Sequence, residues 1–132
     1  MTQTRRTKKK ASEELAYKIS ELCLTKKAED VVILDLGELT TMTDYFVICS
    51  GSTDKQVNAI TDAVVDGLEK EKIKPWHKEG IENAQWVLLD FVDVVAHIFL
   101  QETRLYYNLE QLWGDAAVTH ISGENGPVIE EE

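Results

Sequence analysis

The run VVAHIFL at positions 94 to 100 is apolar at nearly every position. A seven-residue segment of this kind reads as a strand that must be covered on both faces, and so as a central member of a sheet. Two further β-branched runs, VVILDL at 31 to 36 and YFVICS at 45 to 50, each end at a glycine, Gly37 and Gly51. They read as two more strands, and WVLLD after Gln85 reads as a fourth.

Helices are expected between and around these strands. Ser12 is a candidate N-cap with Glu13 and Glu14 in the first turn, followed by Leu15, Ile19 and Leu22, which predicts a helix over about 12 to 25. Between Asp54 and Glu71, Val57, Ile60, Val64 and Leu68 fall at helical spacing, with Ser52 or Thr53 available as cap; Lys74-Pro75 marks the stop. Leu105, Leu109, Leu112 and Trp113 predict a last helix, with Asn108 and Gln111 spaced as a capping pair and Gly114 at its end. The order α, β, β, α, β, β, α predicts an α/β fold: a single mixed β-sheet of four or more strands flanked by helices.

The 132 residues suit one domain, and 43% hydrophobic with 29% charged residues is an ordinary globular composition. Five of the 14 basic residues fall in the first ten positions, leaving nine basic against 24 acidic residues, about −15, on the remainder. Such a body repels phosphate at long range, so a basic protein surface is its natural partner. Residues 1–11 read as a basic flexible arm, a candidate for a minor nucleic-acid contact, and 119–132 as an acidic flexible tail around a domain at 12–118. No apolar segment approaches the roughly 18 residues that span a bilayer, and no secretory hydrophobic region follows the basic start, so a cytoplasmic protein is expected. Cys23 and Cys49 each sit in an apolar pattern and read as reduced packing residues.

Candidate chemistry is sparse. His77, His97 and His120 lie far apart and form no metal-binding spacing; His97 shares a strand face with Val95 and Phe99 and reads as a hydrogen-bonded core residue, whereas His77 in WHKEG reads as exposed and open to a partner. Gly51-Ser52, after a strand and before a helix, has the form of a phosphate cradle, but nucleotidyl transfer also needs two convergent carboxylates on a following strand to hold magnesium, and no Asp-x-Asp occurs. Asp62 and Asp66 read as solvated helix residues. Asp90 and Asp93 converge only if the chain turns between them, and they read as turn caps or as an acidic patch beside Trp86. Tyr45, Trp76, Trp86, Tyr106, Tyr107 and Trp113 exceed what the core needs, a composition enriched at interfaces, although at least half are expected to be buried. Neither a catalytic residue nor a metal or cofactor site is assigned.

Five strings in order, DYFVICSGS (44–52), QVNAITDAVVDGLE (56–69), HKEG (77–80), WVLLDFVDVVAHIF (86–99) and TRLYYNLEQLWGDA (103–116), resemble the ribosomal silencing factor (Iojap-related) family. The resemblance spans roughly residues 12 to 116. It implies a nucleotidyltransferase-like fold without the catalytic carboxylates and a translational repressor rather than an enzyme. Such a repressor binds the large ribosomal subunit through its ribosomal protein fourteen and sterically blocks joining of the small subunit. The alternatives are a ribosome assembly adaptor that leaves joining free, and a divergent nucleotidyltransferase. The matching strings point to His77, Glu79, Trp86, Asp90, Asp93 and Tyr107 as the partner-binding surface, with a minor ribosomal RNA contact by the basic arm and a homodimer as further expectations. Where the family commonly has glycine before the second aspartate, this chain has Val92, so a positive-φ turn there would be strained.

Overall fold

A computed structural model describes residues 2–122 and 126–129, with side chains from residue 9 to 122. Its elements are α1 (Thr2–Leu24), β1 (Glu29–Asp35), β2 (Tyr45–Gly51), α2 (Asp54–Glu69), β3 (His77–Glu79), β4 (Trp86–Asp90), β5 (Val94–Leu100), α3 (Gln101–Tyr107), α4 (Leu109–Leu112), β6 (Ala117–Ser122) and β7 (Gly126–Ile129). The strands form one sheet in the order β3-β4-β5-β2-β1-β6-β7, parallel between β2 and β5 and antiparallel elsewhere. The expected mixed sheet is present, and VVAHIFL lies inside it between β4 and β2.

The period-two alternation of the strands sends their side chains to two unequal faces. On one face Val31, Ile33, Val47, Cys49, Val87, Leu89, Val94, Ala96 and Ile98 meet Ala16, Ile19 and Cys23 of α1 and Val57, Ile60, Val64 and Leu68 of α2, and all are buried. The helical spacing read from the sequence is this buried stripe. Thr53 caps α2 by accepting from the Gln56 amide at 3.1 Å. Cys23 and Cys49 are both free and fully buried, and the hydrogen bond between them, followed by burial, pushes the Cys23 thiol well above its ordinary range. The second face carries a smaller core of Val32, Leu34, Leu36, Ile48, Phe99 and Ala116, with Phe46, Trp86, Leu109, Trp113 and Val118 packed against it.

Several expectations require correction. The first helix does not begin at Ser12: α1 reaches back to Thr2, and Ser12 is buried inside it, where its hydroxyl donates to Asp44 Oδ2 at 2.8 Å. The boundary placed at 11/12 therefore falls within a helix. Residues 2–10 hold no apolar stripe, so periodicity carried no signal there. Lys9 instead ties this turn to the sheet, donating to Asp35 Oδ1 at 2.9 Å and lying 4.9 Å from the centre of the Tyr45 ring. Within 119–132, Thr119 to Ser122 belong to β6, paired with β1 at Val32↔His120, and Gly126–Ile129 form β7; residues 123–125 and 130–132 lie outside the described residues. The last helix is two, broken at Asn108, whose φ is 49°.

Candidate functional site

Cover over the second face runs out toward β3 and β4. In β4, Val87 and Leu89 face the helices, while Trp86, Leu88 and Asp90 face the other way and are only half-buried. Cross-strand partners project to the same face, so the pairs His77↔Asp90, Glu79↔Leu88, Leu88↔His97 and Asp90↔Val95 place His77, Glu79, Asp90, Val95 and His97 together with Leu88. Between them lies an open trough of about 540 Å³. Phe46, Leu88, Val95, His97 and Trp113 are among its walls and floor, and Thr40, Met42, Thr43, Trp76, Asp90 and Val92 complete it. Three of these side chains stand out into solvent: Met42 is 84%, Trp76 77% and Val92 54% exposed. An apolar hollow rimmed by exposed large hydrophobics is the signature of a surface meant to be covered.

Each residue expected at the surface has a definite place. His77 and Glu79 are exposed on β3, and His77 Nε2 and Glu79 Oε2 are 2.6 Å apart. Trp86 lies at the start of β4 against Phe99 and beneath Tyr107, with ring centres 4.9 and 4.8 Å away, and its Nε1–H donates to His97 Nδ1 at 3.1 Å. Tyr107 is 52% exposed. The chain does turn between Asp90 and Asp93. Asp90 Oδ1 accepts from the Val92 amide at 2.8 Å, and the Asp93 amide donates to the Phe91 carbonyl at 3.0 Å. With Val92 at a φ of 76°, this is a γ-turn of the strained, positive-φ kind. The Asp93 carbonyl then accepts from the amides of Asp44 and Tyr45, so the turn is anchored to β2. Five of the six residues share the open face or its margin; Asp93 belongs to the turn at its end.

Sequence reasoning missed most of the trough itself. Met42 sits in a polar connection with no pattern to mark it, Trp76 stands out in the sequence only as a surplus aromatic, and Trp113 only as that and as a turn of the last helix. Among the six aromatics Tyr45 alone is fully buried, and Trp76, Tyr106 and Tyr107 are exposed, contrary to the expectation that half would be hidden. Leu105 and Leu112, expected in a core stripe, are 80% and 74% exposed.

His97 is 3% exposed and, as read from the sequence, hydrogen-bonded within the fold. Burial lowers its pKa to about 4, so the ring is neutral at pH 7. The indole only donates, which makes Nδ1 the acceptor and leaves the proton on Nε2. At the other candidate, the Ser52 amide and hydroxyl are both engaged by Gln56 Oε1, at 2.8 and 3.1 Å, so this Gly-Ser turn is closed by its own helix. Asp62 and Asp66 are exposed. Among the described residues no group of three or more His, Cys, Asp or Glu side chains is placed to hold a metal, and no helix is long and apolar enough to cross a membrane.

The family model described as "Ribosomal silencing factor during starvation" matches residues 9–132. The chain belongs to this family. The ribosomal silencing factor RsfS of Bacillus subtilis is 44% identical over 99 residues, which cover 75% of this chain and 84% of that one. A mouse relative named "Mitochondrial assembly of ribosomal large subunit protein 1" is 34% identical over 109 residues, 77% of this chain and 48% of its own length. A crystal structure of a Chromobacterium violaceum protein superposes with a TM-score of 0.72 at 31% identity, covering 80% of this chain and 85% of that chain. The α/β sheet with its flanking helices is thus the fold of this silencing-factor family.

Proposed function

We propose that this ribosomal silencing factor is a translational repressor that docks on the large ribosomal subunit through its ribosomal protein fourteen and sterically blocks joining of the small subunit. The observation that carries the reading is the trough: an apolar hollow ringed by Met42, Trp76 and Val92 and flanked by the carboxylates of Glu79 and Asp90. Buried apolar anchors supply affinity at such surfaces, while acids at the margin select a basic partner and fix its register. On this reading His77, Glu79, Trp86, Asp90, Asp93 and Tyr107 form or support the contact. Asp90 and Asp93 act partly through the turn that presents Val92, and Trp86 and Tyr107 extend the apolar surface toward α3. The mechanism is occlusion, in which no bond is made or broken.

A second reading, an adaptor for assembly of the large subunit, is favoured by the mouse relative, which is named for mitochondrial assembly of that subunit. Sedimentation separates the two. Purified large and small subunits are mixed with and without the protein at moderate salt, and the gradient is assayed for both its position and the amount of joined ribosomes. Comigration with the large subunit together with loss of joined ribosomes is expected; comigration with joining intact supports the adaptor, and failure to bind either subunit sinks both.

A further inference from the structure

Two buried side-chain polar atoms lack a hydrogen-bond partner in the protein among the described residues, and both belong to residues lining the trough: Thr43 Oγ1 and His97 Nε2. Buried polar groups are almost always satisfied, and an orphaned one costs about 1–3 kcal/mol, so two on one surface call for an explanation. Their chemistry is complementary. His97 Nε2 carries a hydrogen, because Nδ1 accepts from Trp86, and so it is a donor; the Thr43 hydroxyl both donates and accepts. Elsewhere the hollow is lined largely by hydrocarbon and aromatic rings, with Asp90 at its edge already bonded to the Val92 amide.

A peptide main chain offers what these two atoms lack, carbonyls to accept and amides to donate. We propose that the trough seats an extended, apolar-centred peptide segment of the basic ribosomal protein, its main-chain carbonyl accepting from His97 Nε2 and its adjoining amide or carbonyl bonded to the Thr43 hydroxyl. The inference rests on the docking reading above and adds to it the register of the contact. The occupant is apolar in its centre because Phe46, Leu88, Val95 and Trp113 line the hollow, and basic toward β3 because Asp90 stands at the edge and Glu79 lies beyond it on the same sheet face. A partner segment that filled the hollow without reaching His97 and Thr43 would leave both orphaned, and would forgo the relief that a main-chain bond to each supplies. Specificity then comes from the main chain's position as much as from the side chain that fills the space.

The test uses the full chain and purified large ribosomal subunits, with affinity measured for the wild type and three variants, and thermal unfolding recorded for each. Thr43→Val keeps the shape and removes an unsatisfied hydroxyl, so stability should be unchanged or higher while affinity falls about fivefold. His97→Asn preserves an acceptor near the Nδ1 position for Trp86 but deletes the Nε2 donor, and should bind about tenfold more weakly. His97→Gln places an amide donor near the Nε2 position at the expense of the Trp86 bond, and should bind nearly as the wild type. If the histidine serves only to hold Trp86, the order of the two His97 variants reverses and the inference is overturned. It is also overturned if Thr43→Val and His97→Asn both bind as the wild type does, an outcome that leaves the docking reading standing. Should His97→Asn fail to fold, Thr43→Val decides alone. If the wild type itself does not bind the large subunit, the docking reading fails first and the inference with it.

Discussion

Val92 occupies a conformation that suits glycine, and its branched side chain, 54% exposed, gives the core little in return. Such a residue costs of order 1–3 kcal/mol and persists because the Asp90 carboxylate and the anchored Asp93 carbonyl hold the turn. Val92→Gly is therefore expected to raise stability by about 1 kcal/mol, after the entropy that glycine loses, measured as a higher urea midpoint at unchanged slope. The same change removes part of the trough rim, so large-subunit affinity should fall as stability rises. His97 supplies a pH dependence of the opposite character. Its folded pKa of about 4 lies below the value of about 6.5 expected in the unfolded chain. Between those values the unfolded chain takes up a proton that the folded one refuses, so stability is full above about pH 6.5, declines as pH falls, and levels off below about 4. The contribution is on the order of 3 kcal/mol. Urea midpoints across this range should show the slope in the wild type and lose that component in His97→Gln.

At the level of elements, what the sequence disclosed depended on whether an element buries a stripe of its own. Helix α2 and strands β1, β2, β4 and β5 do, and their periodicity and caps were legible. The sequence of residues 2–10 contains no apolar stripe, and β3, β6 and β7 pair with a neighbouring strand without an alternating run of their own, so no local pattern announces them. For the same reason, single positions of the candidate surface were legible in the matched strings, but the trough was not: it is made where β2, β4 and β5 lie side by side beneath Met42 and Trp76, which no one string contains. The β3–β4 connection offers a direct test of how that surface is held. Gly80 has a φ of 80°, and a Cβ there would lie 1.9 Å from the Trp86 carbonyl oxygen. Gly80→Ala should cost about 3 kcal/mol, or free β3 from the sheet while the rest stays folded. Hydrogen exchange at the amides of residues 77–79 and 88–90 distinguishes the two, and both outcomes should weaken docking.

For the whole molecule the dominant long-range feature is charge. Beyond its first ten residues the chain carries about −15, far more than any contact at the trough requires. A field of that size accelerates encounter with a basic surface and is screened over about 10 Å at 0.1 M salt. Association with the isolated basic ribosomal protein fourteen should accordingly slow by about an order of magnitude as salt is raised from about 20 to 200 mM, with a much smaller change in the dissociation rate, measurable by stopped-flow tryptophan fluorescence. The margins of the sheet add a further constraint. One edge is a strand of only three residues, and the other contains Pro127, which has no amide hydrogen to offer. Short or proline-bearing margins are poor templates for another chain's strand. Growth of the sheet sideways into a filament or a strand-swapped pair is thereby discouraged, and a protein that exposes so much hydrocarbon on one face can stay dispersed until its partner arrives.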